Sequence, residues 1–314
     1  EILSELAKEH QIAAAILEYR GLAKLLNTYV EALPLQVNAQ SKRIHTQFMQ
    51  TVAATGRLSS VQPNLQNIPI RTNNGRLIRK AFVSTDASWT LVAADYSQIE
   101  LRIIAALSKE DTMIEAFEKG EDIHRSTASR VFRVPLSEVT REQRSQAKTV
   151  NFGIIYGVSA FGLSNQTTLS RSEAKELIET YYATYPKLRA YINDQVAFAR
   201  EHGYVETLFK RRRYLKDIHA ANGMIRSAAE RNAVNAPIQG SAADIIKKAM
   251  IAVDRRLHED GLRAKMLLQV HDELVFECPN EEIDLLKSLV VQEMENAAQL
   301  GVPLEVDVGI GANW

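Results

Sequence analysis

The chain has 314 residues, 46% of them hydrophobic, and its 38 basic and 38 acidic side chains leave a formal net charge of zero. This is the composition of a folded protein of one large or two to three smaller domains, and it excludes a globally basic nucleic-acid binder. Cys278 is the only cysteine, which excludes a disulfide framework and zinc-type spacing. The absence of a signal peptide or long apolar span leads to an expected cytoplasmic location.

The bases are nonetheless unevenly placed. Arg76, Arg79 and Lys80 cluster, as do Arg141, Arg144 and Lys148, and residues 210–213 form a continuous basic run. The chain opens inside a helical pattern. Ile12, Ile16, Tyr19, Ala23, Leu26, Val30 and Leu33 alternate spacings of four and three, a helical apolar stripe that Pro34 ends and Gly21 can bend. Residues 55–71 are polar and turn-rich, and so long an irregular stretch in a compact domain is often functional. Residues 91–95 are an apolar run of strand length that ends on Asp95, and residues 97–162 read mostly as helices.

Ser170 and Glu173 form a capping-box signature for a helix running towards Pro186, and residues 204–215 predict a hairpin carrying the basic run. Residues 224–258 are helical, with Pro237 either kinking the helix or beginning a new one. Two apolar strands meet at His271-Asp272 within residues 265–277. A helix over 281–300 and a strand over 304–308 follow. Strands at both ends of the sequence with helices between them predict an α+β sheet domain holding a helical insertion of about a hundred residues or more.

Three constellations carry chemistry. Asp95 and Asp272, with Glu273 beside it, are strand-borne acids from distant parts of the chain. Such a pair suits two magnesium ions that stabilise the attacking and leaving oxygens of a phosphoryl transfer. Alone, each aspartate reads more readily as an ordinary strand end or turn, and only the pairing tilts the balance. Arg144, Lys148, Phe152 and Tyr156 lie four apart, on one slowly winding helical face behind a capping box from Thr140 and Gln143. Two cations then two aromatics match a nucleoside triphosphate, and Gly153 and Gly157, which weaken a helix, favour function over a plain amphipathic face. Arg231, Asn235 and Gln239 repeat the spacing; they could reach acceptors in a nucleic-acid minor groove or form a solvated polar face.

Residues 95–102 (Asp-Tyr-Ser-Gln-Ile-Glu-Leu-Arg), Arg144-x-x-x-Lys148-x-x-x-Phe152-Gly153-x-x-Tyr156-Gly157 and Val270-His-Asp-Glu273 together resemble the three polymerase motifs of the family A DNA polymerases. Residues 55–60 and 235–241 fit the same family, so the likeness runs from end to end. It implies the palm of a right-hand polymerase, an antiparallel sheet with helices, plus a helical fingers insertion and the base of a thumb. The corresponding division is 1–33 base of thumb, 34–104 first part of the palm, 105–223 fingers and 224–314 second part of the palm.

The resemblance also implies that Asp95, Asp272 and the Tyr96 carbonyl bind two Mg2+ ions, with Glu273 close by. Arg144, Lys148 and His124 would hold the triphosphate, Lys148 would protonate the leaving group, Phe152 would pack on the sugar, and Tyr156 would sit near the templating position. Ser97, Gln98 and Glu100 fall in the nucleotide-binding stretch. Glu100 resembles a gate against a ribose 2′-hydroxyl, although with Ser97 it also spells a capping box. Arg57, Arg71, Arg231, Asn235, Gln239 and His271 would contact the duplex.

The implied partners are primer–template DNA and deoxynucleoside triphosphates, with no membrane, for a monomer working in replication and repair at the nucleoid. A chain of this length is expected to hold neither an exonuclease domain nor a full thumb, and so to grip DNA weakly; the alternative is a DNA-binding but poorly active fragment. Among enzymes the rival is a phage-type single-subunit RNA polymerase, against which Glu100 and Phe152 favour deoxynucleotides. Lys210 stands where many family members have glycine, so the turn there is expected to differ, and Arg211 to Arg213 receive no specific contact.

Overall fold

A computed structural model describes residues 2–70 and 72–314. Helices α1 (Ile2–Leu6) and α2 (Gln11–Leu25) lead through a π-helical turn (Leu26–Val30) to a small hairpin, β1 (Gln47–Met49) with β2 (Ser59–Val61), and then to α3 (Asn73–Arg79). Strand β3 (Trp89–Tyr96) is followed by α4 (Ile99–Ser108) and a helical run: α5 (Asp111–Glu118), α6 (Ile123–Phe132), α7 (Arg141–Ile155), α8 (Ala160–Ser164), α9 (Arg171–Thr184) and α10 (Pro186–His202). A second small hairpin, β4 (Tyr204–Glu206) with β5 (Arg212–Tyr214), precedes the long α11 (Gly223–Glu259). The chain ends with β6 (Lys265–Val270), β7 (Glu273–Pro279), α12 (Ile283–Glu295) and β8 (Val306–Gly311).

The main sheet has the order β6-β7-β3-β8 and is antiparallel throughout, so strands from before and after the helical run interleave as expected of an α+β fold. Alternation along the strands decides what each face does. Val92, Ala94 and Tyr96 of β3 and Leu274, Phe276 and Cys278 of β7 are all buried in the main core, which also takes residues of α4, α11 and α12. Fully burying a side chain such as Leu274 or Phe276 contributes about 1.5–3 kcal/mol. The intervening positions, Asp95 and Glu273 among them, therefore fall on the opposite face.

Several expectations change. Gly21 lies within α2 without interrupting it, and the irregularity comes at the π-helical turn instead. The apolar stripe beside it is exposed: Ile12, Tyr19 and Val30 are all more than half accessible. Pro237 does not begin a new helix, because α11 runs through it, and the Ser241 hydroxyl donates to the Pro237 carbonyl (2.6 Å). Both the C-terminal helix and the last strand are displaced by a few residues from their expected bounds.

Lys210 occupies the left-handed region, with φ of 66°, and its amide donates to the Thr207 carbonyl (3.0 Å). An L side chain is strained there, while its exposed pair with Glu206 (3.4 Å) adds little. Lys210→Gly is expected to raise the melting temperature by about 1–2 °C, the net of relieved strain and extra unfolded-state entropy. A fall in a thermal denaturation scan would show that the turn accepts lysine without cost.

Candidate active site

The end of β3 and the turn between β6 and β7 form the floor of the site. Asp95 stands opposite Glu273 in the β3–β7 register and opposite Asp307 in the β3–β8 register, and the Tyr96 amide donates to the Asp272 carbonyl (3.2 Å). The two aspartates that the sequence keeps far apart thus become neighbours. Asp95 is open to the cleft, but the protein packed around its carboxyl, then the charges of Asp272, Glu273 and Asp307, push its pKa up to about 7. Burial, and then Glu100, push Asp272 up to about 6, with Arg57 opposing. Two crowded carboxylates of this kind are hard oxygen donors suited to magnesium. Among the described residues, no group of three or more His, Cys, Asp or Glu side chains is arranged to hold a metal.

The backbone is left-handed on both sides of this pair, at Gln98 (φ 56°) and at His271 (φ 55°). Burial and the Arg57 charge lower the His271 pKa, with Glu273 opposing. Glu273 accepts from the Trp314 indole (2.7 Å). That ring in turn carries the Arg79 guanidinium 4.2 Å from its centroid and makes a T-shaped contact with Phe82. Ser97 is fixed through its carbonyl, which accepts from Arg102 Nε (2.8 Å).

The Ser97–Glu100 capping box does not form. Gln98 is the N-cap residue of α4, in a left-handed conformation and without a side-chain cap. The Glu100 carboxylate is drawn elsewhere: one oxygen pairs with Arg57 (2.7 Å), and the other accepts from the Tyr156 hydroxyl (2.8 Å). Arg57, Glu100 and Tyr156, from three separate segments, are in this way tied into one network beside the aspartates.

On α7 the expected face is real. Arg144 and Phe152 are half-buried and Lys148 and Tyr156 exposed, while Ala147, Val150, Asn151, Ile154 and Ile155 form the buried side. Its capping box from Thr140 and Gln143 forms as well. Lys148, Phe152 and Tyr156 line a cleft of about 410 Å³. Arg144 is not free: its Nε donates to Asp122 Oδ2 (2.7 Å), and Asp122 also caps α6. His124, next along α6, is buried at 2% exposure, with its ring 5.6 Å from Phe152. The two glycines of this segment have packing reasons beyond function. A Cβ on Gly153 would come 2.6 Å from Val158, and Gly157 is left-handed and would meet the Arg231 stem at 2.7 Å.

This arrangement has close counterparts. The profile of DNA polymerase family A matches residues 1–314. The DNA polymerase I proteins of Caldicellulosiruptor bescii, Geobacillus stearothermophilus and Pseudomonas aeruginosa are each 52% identical over the whole chain, which covers 37%, 36% and 34% of them respectively. The chain belongs to DNA polymerase family A. It spans about a third of the length of these relatives. A solved structure, the POL domain of Pol1 from M. smegmatis in complex with DNA primer-template and dNTP, superposes with a TM-score of 0.95 at 50% identity, covering 99% of this chain and 55% of that one.

Within this family A fold, Arg231 is exposed and Asn235 and Gln239 are half-buried on one side of α11, while Ala233, Val234, Ala236, Ile238 and Gly240 between them are buried. Arg71 lies outside the described residues. The basic run after Lys210 serves the architecture. Arg211 donates to Asp244, Thr55 and Gly240 at 3.0, 2.7 and 2.8 Å, clamping the 55–60 loop to α11, and Arg212 pairs with Glu206 over the Tyr204 ring. Sequence reasoning missed Asp122, Asn151, Asp307 and Trp314. Asp307 left a trace, a lone carboxylate alternating with valines in the last strand, whereas the other three left none. Among the described residues no helix is long and apolar enough to cross a membrane.

Proposed function

We propose that this chain is the polymerase portion of a template-directed DNA polymerase, adding deoxynucleotides to a primer 3′-hydroxyl with release of pyrophosphate. The observation that carries this reading is the pair Asp95 and Asp272 at the end of one sheet, beside Glu100 and Tyr156, which Glu100 binds at the end of α7. The solved relative in complex with DNA primer-template and dNTP supports the same partners here. In this reading residues 1–33 are the base of the thumb, 34–104 and 224–314 the palm, and 105–223 the fingers.

Asp95 and Asp272, with the Tyr96 carbonyl, would hold two magnesium ions. When bound, these supply charge stabilisation for the attacking and leaving oxygens. The remaining work is positioning and neutralisation. Arg144, Lys148 and His124 hold the triphosphate, and Lys148 gives its proton to the departing pyrophosphate. Phe152 packs against the sugar, and Tyr156 stands at the templating position. Arg57, Arg231, Asn235, Gln239 and His271 contact duplex backbone and minor groove without reading sequence. Arg144 gives its Nε to Asp122 and keeps its terminal nitrogens for a phosphate, and α7 closes over the correct pair, a form of induced fit.

Glu100, buried and held by Arg57 and Tyr156, is rigid enough to exclude a 2′-hydroxyl. Primer extension with magnesium, offering deoxynucleotides and ribonucleotides separately, tests the reading. Deoxynucleotides should be strongly preferred, and Glu100→Ala should reduce that preference by about tenfold to a hundredfold. If the chain binds primed template yet adds no nucleotide, a binding role replaces catalysis. Unchanged sugar preference in Glu100→Ala would confine Glu100 to bracing Arg57 and Tyr156.

A further inference from the structure

Behind the exposed face of α7 lies a buried polar chain. The Tyr185 hydroxyl, at the junction of α9 and α10, is 3.0 Å from Thr127 Oγ1. Thr127 Oγ1 is 3.2 Å from Asn151 Oδ1, and Asn151 Nδ2 is 3.0 Å from His124 Nδ1. The four residues are at most 2% exposed. Buried polar groups of this kind are retained only when every proton has an acceptor.

That requirement sets the direction of the chain. Among the described residues Thr127 is the only hydrogen-bond partner of the Tyr185 hydroxyl, so the tyrosine proton goes to Thr127 Oγ1. The threonine proton then goes to Asn151 Oδ1. Asn151 Nδ2 has two protons and no acceptor capacity, and it lies 3.2 Å from Thr127 Oγ1 and 3.0 Å from His124 Nδ1. Nδ1 of His124, facing that nitrogen, is an acceptor. Burial, reinforced by Arg144 and Lys148 and opposed by Asp122, holds the imidazole pKa down to about 4, so near neutral pH the ring carries a single proton.

We propose that Asn151 is a positioning residue for His124: by donating to Nδ1 it keeps the ring's only proton on Nε2, as a hydrogen-bond donor for a phosphate oxygen. The inference rests on the reading of His124 as a triphosphate ligand. It deepens that reading by assigning the tautomer and the residue that sets it. Asn151 also ties α6 to α7, so the imidazole travels with the helix that carries Lys148 and Phe152.

The test is nitrogen NMR of the protein labelled with 15N-histidine, the His124 ring being assigned by its disappearance in His124→Gln. The wild-type ring should carry its proton on Nε2 alone. In Asn151→Asp an acceptor faces Nδ1, and a proton should appear there at a pH where the wild type has none. In Asn151→Leu the Nε2–H form should give way to a mixture, and KM for deoxynucleotides should rise about fivefold with kcat little changed, the loss expected of one misoriented hydrogen bond. A wild-type proton on Nδ1, or an unprotonated Nδ1 in Asn151→Asp, overturns the inference whatever the activity. A lost tautomer with unchanged KM overturns instead the triphosphate role of His124. Should Asn151→Leu fail to fold, the wild-type and Asn151→Asp spectra still decide.

Discussion

Asp95→Asn is expected to reduce nucleotide incorporation by at least about 10³-fold, because removing one carboxylate of the proposed metal pair forfeits several kcal/mol of charge stabilisation in phosphoryl transfer. The same substitution should raise the melting temperature of the metal-free protein by about 2 °C. Asp95 is faced by Asp272 and flanked by Glu273 and Asp307, all carboxylates, on a site the protein partly desolvates. A neutral side chain of the same shape relieves about 1 kcal/mol of that repulsion. Single-turnover primer extension and calorimetry without metal check the two halves. Extension within tenfold of wild type would move the chemistry away from Asp95. A lower melting temperature would mean that the surroundings stabilise its charge rather than oppose it.

Lys148→Ala should slow incorporation by about 10²-fold and weaken nucleotide binding, since the residue is asked both to neutralise phosphate and to protonate the leaving group. Lys148→Arg separates the roles. A guanidinium keeps the charge but scarcely gives up a proton, so nucleotide KM should recover while the rate of the chemical step should not. Equal recovery of both in rapid-quench kinetics would show that the side chain acts by charge alone. Lys148 is well placed for this division because it is exposed on the face of α7 that lines the cleft beside Phe152 and Tyr156, whereas Arg144 is already engaged by Asp122.

The comparison between residues and coordinates is clearest at three capping boxes with the same spacing. Thr140/Gln143 and Ser170/Glu173 form as written. Ser97/Glu100 does not, because Arg57 and Tyr156 compete for the carboxylate and the helix begins from a left-handed Gln98. In the first two the partners lie three residues apart and nothing distant intervenes; in the third, two groups remote in sequence take the carboxylate. The basic run shows the same limit. Arg211 reads as a solvated cation, yet its guanidinium is spent on Asp244 and two carbonyls.

The sequence alone determined the α+β order of elements, the accessible face of α7 and the identity of the two acids, since strand alternation, helical period and motif spacing are properties of neighbours along the chain. Only the tertiary structure decided that Asp95 faces Glu273 and Asp307, that Trp314 holds Glu273, and that Asn151 meets His124. Those pairings depend on strand register and on which faces share a core. A single residue of slip in β3 would turn Asp95 to the buried face, and the Asn151–His124 contact depends instead on how α6 packs against α7.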